Sequence, residues 1–205
     1  MSATSLVVYI VDDDRNFRES LEELVGLMGY RAIGFDTAEA FLEDPRIQRP
    51  ACLLLDMYLP ALDGFWLQDT LKAKGISLPV IYITGHGDVP MSVKALKKGA
   101  SDFLLKPFPP EDLRAAIITA LTQDAANVAH EARQHKIMAC VKSLTPREYE
   151  VMCQVITGKL NKQIAATLGT AEKTIRKHRG QVMRKMRVAS VADLVRALET
   201  VGIAS

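Results

Sequence analysis

Five polar residues, Asp12, Asp13, Asp56, Thr84 and Lys106, stand at the ends of short apolar runs that recur along the chain. The run before Asp56 is Ala51-Cys52-Leu53-Leu54-Leu55; comparable runs cover residues 6–11, 79–84 and 102–105, and a further one covers 30–35. Each is aliphatic or β-branched and is separated from the next by a stretch with helical spacing, which predicts strands alternating with helices. Such alternation builds a parallel sheet with right-handed crossovers. Parallel strands all end on one edge, so the five polar groups converge at the carboxyl edge of one sheet, where open α/β folds place their ligands.

Local signals place the helices. Asp14 is a good N-cap for a helix that carries Phe17, Leu21, Leu24, Val25 and Met28 on one stripe and ends at Gly29. Another begins at Glu111 after Pro109-Pro110, with Leu113, Ile117, Ala120 and Leu121 facing the sheet. No Gly or Pro occurs between Pro110 and Pro146, which leaves two readings open. Either the helix runs on for ~30 residues, roughly 45 Å, and connects two domains, or it frays near Gln123 into a loose linker. Thr145-Pro146-Arg147-Glu148 then opens a second domain, with Thr as N-cap, Pro at the first helical position and Glu placed for a capping box. Three more helices follow, over 161–168, 172–187 and from Ser190 onward. The expected organisation is an α/β domain over 1–122, a linker read as helical over 123–142, and a small all-α domain over 143–205.

Charge divides along the same line. Residues 1–122 hold 12 Lys/Arg against 17 Asp/Glu, and residues 143–205 hold 11 against 5, so the formal balance moves from −5 to +6. An acidic half suits a cation or phosphate site, and a basic half favours a polyanion. Cys52, Cys140 and Cys153 have no metal-like spacing and fit reduced thiols in a cytosol. The start of the chain lacks a basic stretch ahead of an apolar one, and no apolar run approaches the ~20 residues that cross a bilayer. The expectation is a soluble cytoplasmic protein with no membrane partner.

Carboxylates gathered at strand ends repel one another unless a cation lies among them, and hard oxygen donors favour Mg²⁺. Asp12 and Asp13 would hold the metal, and Asp56 could both ligate it and attack a phosphorus. Lys106 adds a positive charge and Thr84 a hydroxyl donor. Taken alone, Asp12-Asp13-Asp14 could be no more than helix caps; Asp56 and Lys106 in register with it argue for a site.

These residues resemble the receiver domains of two-component response regulators, over residues 6 to about 120. The resemblance rests on Val11-Asp12-Asp13-Asp14, Leu55-Asp56-Met57-Tyr58-Leu59-Pro60, Asp63-Gly64, Ile83-Thr84-Gly85-His86 and Lys106-Pro107-Phe108. It implies a doubly wound five-stranded parallel sheet in the order 2-1-3-4-5, a strand order that the family likeness supplies and the apolar runs alone do not. It further implies that Asp56 accepts phosphate from the phosphohistidine of a sensor histidine kinase. Asp12, Asp13, Asp56 and the backbone carbonyl of Tyr58 would bind Mg²⁺, and Thr84, Lys106 and Phe103 would respond to the phosphoryl group. Phe103 replaces the commoner Tyr, so its part must rest on burial. The resemblance implies a cis Lys106-Pro107 bond. His86 reads as a packing or surface residue, because phosphoryl transfer needs no histidine from this side.

The basic half reads as two helices around Gly169-Thr170-Ala171, the layout of a helix-turn-helix. Lys173, Arg176, Lys177, Arg179, Arg184, Lys185 and Arg187 follow with no acid after Glu172, while Ile175, Val182 and Met186 form an inward stripe. Lys173, Arg176, Lys177 and Gly180 fall on a face suited to a major groove. Residues 144–198 resemble the LuxR/NarL type of output domain through Leu144-Thr145-Pro146-Arg147-Glu148, Gly158, Asn161-Lys162-Gln163-Ile164-Ala165, Thr174-Ile175-Arg176-Lys177-His178 and Lys185-Met186. The whole chain is similar to FixJ-type transcriptional regulators. That likeness implies double-stranded promoter DNA, a homodimer formed on phosphorylation through residues 89–98 and the strand near Phe103, and RNA polymerase as partners. Arg176, Lys177 and the Gly180 position would face base edges, and Lys162, Lys173, Thr174 and Arg179 would meet phosphates, with Arg184 and Lys185 farther along. Ala171 stands where the family often has a Ser N-cap, at a cost of ~1 kcal/mol unless Thr170 caps instead. Gly180 costs ~1 kcal/mol relative to Ala and offers no base contact.

The expected function is therefore a transcriptional regulator switched by phosphorylation of Asp56, not an enzyme beyond slow loss of its own phosphoryl group. Two alternatives stand beside it. One is a DNA-binding regulator that does not depend on phosphorylation; the other is a Mg²⁺-dependent aspartyl-phosphate phosphotransferase, against which the absence of a substrate-capping insertion speaks.

Overall fold

The computed structural model describes residues 6–44, 47–60, 64–85 and 89–203. Residues 1–5, Asp63 and His86, with its neighbours 87 and 88, lie outside the described residues. Five strands, β1 (Val7–Val11), β2 (Arg31–Phe35), β3 (Ala51–Asp56), β4 (Val80–Thr84) and β5 (Asp102–Leu105), alternate with helices α1 (Arg15–Leu27), α2 (Ala38–Glu43), α3 (Gly64–Ala73), α4 (Val89–Lys97) and α5 (Pro110–Lys142). All strand pairs are parallel and the order is β2-β1-β3-β4-β5. The expected doubly wound sheet is present, with strand limits within one residue of those read from the apolar runs.

Alternation along the strands splits the core in two. Tyr9, Val11, Leu53, Leu55, Val80 and Tyr82 pack with Phe41 of α2 and Leu67 and Leu71 of α3. Val8, Ile10, Cys52, Leu54, Ile81 and Ile83 pack with Leu21 and Val25 of α1 and Leu113 and Ile117 of α5. Each fully buried aliphatic side chain contributes about 1.5–3 kcal/mol, so both faces are committed to helices and the sheet is fixed in register. At the start of α3, Gly64 is required: a Cβ there would lie 2.9 Å from Tyr82 Cε1 and 3.1 Å from the Asp56 carbonyl.

At the amino edge, Asp124 of α5 is fully buried and accepts hydrogen bonds from Arg49 Nη2 at 2.7 Å and the Ala51 backbone N–H at 2.8 Å. This ties the start of β3 to α5. Helix α5 is continuous from Pro110 to Lys142, so the chain does not fray near Gln123. Its side chains belong to both compact units of the chain, residues 1–128 and 129–205.

The second unit contains α6 (Pro146–Ile156), α7 (Asn161–Thr167), α8 (Glu172–Lys185) and α9 (Val191–Glu199). Val151, Met152, Val155, Ile164, Ile175, Val182, Leu194 and Leu198 form its core. Thr145 and Glu148 make the expected reciprocal capping box, with Pro146 in the first turn. Helix α8 starts at N-cap Ala171 with no side-chain cap, so Thr170 does not take over that role. Ala171→Ser is expected to raise stability by about 1 kcal/mol. Chemical denaturation of the full chain should show a higher midpoint for the second unit's transition.

Candidate functional site

Strand register brings the polar ends together. Val11 lies opposite Leu55, Asp56 opposite Ile83 and Thr84 opposite Leu105. The ladder also reaches one step beyond the strands, since the Met57 N–H donates to the Ile83 carbonyl and the Lys106 N–H to the Thr84 carbonyl, at 3.1 and 2.7 Å. Asp12, Asp56, Thr84 and Lys106 therefore leave the sheet at one level.

One carboxylate oxygen from each of Asp12, Asp13 and Asp56 lies within 4.8 Å of the others. Lys106 Nζ donates to Asp12 Oδ2 at 2.9 Å and to Asp56 Oδ2 at 2.7 Å. The second oxygens are also used: Asp12 Oδ1 accepts from the Asp14 N–H at 2.9 Å, and Asp56 Oδ1 accepts from the Tyr58 N–H at 2.8 Å. Burial raises the pKa of Asp12, and the charge of Asp56 adds to this against the opposing hydrogen bond from Lys106. Burial also works against the Lys106 ammonium, but its hydrogen bonds to Asp56 and Asp12 outweigh that and hold its pKa above the usual value. Two of the three carboxylates share one ammonium and Asp13 stands beside them without it, which leaves an excess of negative charge on hard oxygen donors. That set suits a divalent cation.

Thr84 is fully buried at the end of β4. Phe103 is half-buried, pairs with Tyr82 across the sheet and packs against the core on the α2–α3 face. The Tyr58 hydroxyl donates to Met91 Sδ of α4 at 3.4 Å. The peptide bond Lys106-Pro107 is cis, as the resemblance implies. Two neighbours escape a reading of local patterns: Arg18 Nη1 donates to the Asp12 backbone carbonyl at 2.6 Å, and the Phe17 ring lies beneath Lys106. An arginine and a phenylalanine on an amphipathic helix carry no sign of such partners.

In the second unit, Lys162, Lys173, Arg176, Lys177 and Arg184 are exposed, while Thr174 and Arg179 are partly covered. Arg176 makes a solvent-exposed pair with Glu172 at 3.3 Å, which costs little to exchange for another anion. Arg179 Nη1 donates to Asn161 Oδ1 at 3.1 Å, and Arg184 hydrogen-bonds Gln181. Lys185 is partly covered. Its Nζ donates to Glu148 Oε2 at 2.6 Å and to the Ser143 carbonyl at 3.0 Å, and it holds α8 to the start of α6. That hydrogen bond, with the one from the Thr145 N–H, lowers the pKa of Glu148. The Gly180 position is open: beyond its chain neighbours and the backbone of its own helix, nothing lies within 4 Å of where a Cβ would stand.

A parallel receiver sheet with this carboxylate and lysine set, joined to a helix-turn-helix unit, defines a DNA-binding response regulator of two-component signalling. Residues 8–118 match the response regulator receiver domain, and residues 142–198 match the bacterial regulatory proteins of the luxR family. The chain belongs to the family of response regulators that combines these two domains; its members are transcription regulators rather than enzymes. It is 41% identical over 204 residues to nodulation protein W of Bradyrhizobium diazoefficiens, covering 100% of this chain and 90% of that one. It is 40% identical over 196 residues to the transcriptional regulatory protein FixJ of the same organism, covering 96% of each. The solved structure of response regulator StyR is similar with a TM-score of 0.84 and 41% identity, over 95% of this chain and 98% of that one. The receiver domain implies a sensor kinase as partner, and the luxR-family domain implies DNA binding. Among the described residues, no helix is long and apolar enough to cross a membrane.

Proposed function

We propose that Asp56 is the phosphoacceptor and that its phosphorylation by a sensor histidine kinase switches sequence-specific binding to promoter DNA. The observation that carries this reading is the Lys106 ammonium shared between Asp12 and Asp56, with Asp13 alongside. Asp12, Asp13, Asp56 and the backbone carbonyl of Tyr58 would hold Mg²⁺. When bound, the ion neutralises charge that builds on the phosphoryl oxygens. Asp56 attacks phosphorus through a carboxylate oxygen, and the bond from phosphorus to the kinase imidazole nitrogen breaks. Lys106, already within hydrogen-bond reach of that carboxylate, turns its N–H groups toward the new oxyanion. Thr84 offers its hydroxyl to the same group, and Phe103 shifts with it.

The domains divide as 1–122, 123–142 and 143–205. In the last of these, Arg176 and Lys177 face base edges in the major groove, while Lys162, Lys173, Thr174, Arg179 and Arg184 contact phosphates. Lys185 stands at the far end of this set, where a phosphate that reaches it has to displace Glu148. The protein works in the cytoplasm, pairs as a homodimer when phosphorylated and acts on transcription through RNA polymerase. A dimer is needed because one small helix-turn-helix spans too few bases to define an operator. Sedimentation and operator titration, each with and without acetyl phosphate and Mg²⁺, test the switch. The phosphorylated form should sediment as a dimer at concentrations where the unmodified form is monomeric, and should bind its operator at least tenfold more tightly, a difference of about 1.4 kcal/mol. Equal sedimentation and equal affinity would identify a regulator that does not depend on phosphorylation.

A further inference from the structure

Phe17 belongs to the apolar stripe of α1 in the sequence; it is only partly buried, unlike Leu21 and Val25 of the same helix, and packs, as Phe108 does, against the core on the α1–α5 face. It stands in the first turn, where its N–H donates to the capping carboxylate of Asp14 at 3.2 Å. Its ring centroid lies 3.7 Å from Lys106 Nζ, well inside the ~6 Å over which a cation is drawn to an aromatic face. Phe108, two residues beyond Lys106, stands edge-on to the same ring at 6.4 Å and 84°. The lysine side chain is only 20% exposed, so water screens this attraction weakly.

We propose that Phe17 is a positioning residue for Lys106, a role that rests on the reading of Lys106 as the group that meets the phosphoryl oxygens. Lysine carries its charge on a flexible four-carbon stem, and two carboxylate contacts alone leave the ammonium free to follow either acid. The ring supplies a third contact of a different kind. It attracts the charge but takes no strong hydrogen bond, so the N–H groups stay available to leave a carboxylate for a phosphoryl oxygen. A third carboxylate in the same place would hold the ammonium back. Phe108 steadies the ring from its edge, so the segment that carries Lys106 also supports the surface on which its charge rests.

Graded fluorination of the Phe17 ring tests this without changing its shape. Full-length protein carrying mono-, di- or trifluorophenylalanine at position 17 would be titrated with beryllofluoride in saturating Mg²⁺. Isothermal titration calorimetry reads the binding directly. Affinity is expected to fall stepwise with each fluorine, by about threefold to tenfold at the trifluoro stage, with melting temperature unchanged. Phe17→Leu should lose a similar factor and Phe17→Trp should recover it. If fluorination leaves affinity flat while Lys106→Ala weakens it, the ring is ordinary packing and the proposal falls, although the role of Lys106 stands. If Lys106→Ala also binds beryllofluoride as the unsubstituted protein does, the underlying reading falls and takes the role of Phe17 with it.

Discussion

Asp56→Asn is expected to abolish the phosphoryl adduct that forms when the protein is incubated with acetyl phosphate and Mg²⁺, with no loss of fold. The amide is nearly isosteric with the carboxylate but is a poor nucleophile, so the chemistry goes while the packing stays. The local geometry favours retention, since the amide oxygen can still accept from the Tyr58 N–H. Intact-mass measurement gives the answer directly. An adduct of undiminished yield in the variant would assign phosphoryl acceptance to another residue, and unfolding of the variant by circular dichroism would contradict the isosteric argument.

Arg176→Ala and Lys185→Ala are expected to fail in different ways. Losing a bidentate guanine contact from Arg176 should cost about 1–3 kcal/mol on the true operator and relax the choice at one base position, with little effect on random DNA. The Glu172 partner does not blunt this, because the pair is exposed and easily exchanged. Lys185→Ala instead removes the cation from Glu148, whose side chain is only 8% exposed, and should lower stability by about 1–3 kcal/mol before it changes DNA affinity. Thermal melts beside competitive binding to a randomised operator library separate the two. Unchanged base preference in Arg176→Ala would move reading to Lys177 or Lys173. A Lys185→Ala protein with normal melting but a shallower salt dependence of binding would place Lys185 on a phosphate.

What is legible in the sequence depends on neighbours a few residues away, or on the one rule that parallel strands end together. Asp14 and Thr145 cap their helices as expected because a cap satisfies N–H groups two or three positions on. Asp12, Asp56 and Lys106 meet because register in a parallel sheet leaves few other outcomes. The hidden contacts join residues far apart in the chain. Arg49 meets Asp124 across 75 positions and Lys185 meets Glu148 across 37, and neither pair carries a local mark. The basic face of α8 gives no sign that Lys185 already holds an acid of its own, Glu148. Phe17 falls on the apolar stripe for a similar reason, since helical periodicity reports the side a residue faces but not the charge that sits over it.

Gly180 gives the recognition helix an unusual freedom. Residues that read a target commonly cost stability, because they are chosen for contact rather than for fit. Here the reverse holds on the face proposed to enter the groove. Nothing occupies the space beside Gly180, and a residue with a Cβ would gain up to ~1 kcal/mol of helix propensity over glycine. On the proposed arrangement, a change at this one position would add a base contact and firm the helix together, so a new operator preference would not first require a less stable helix.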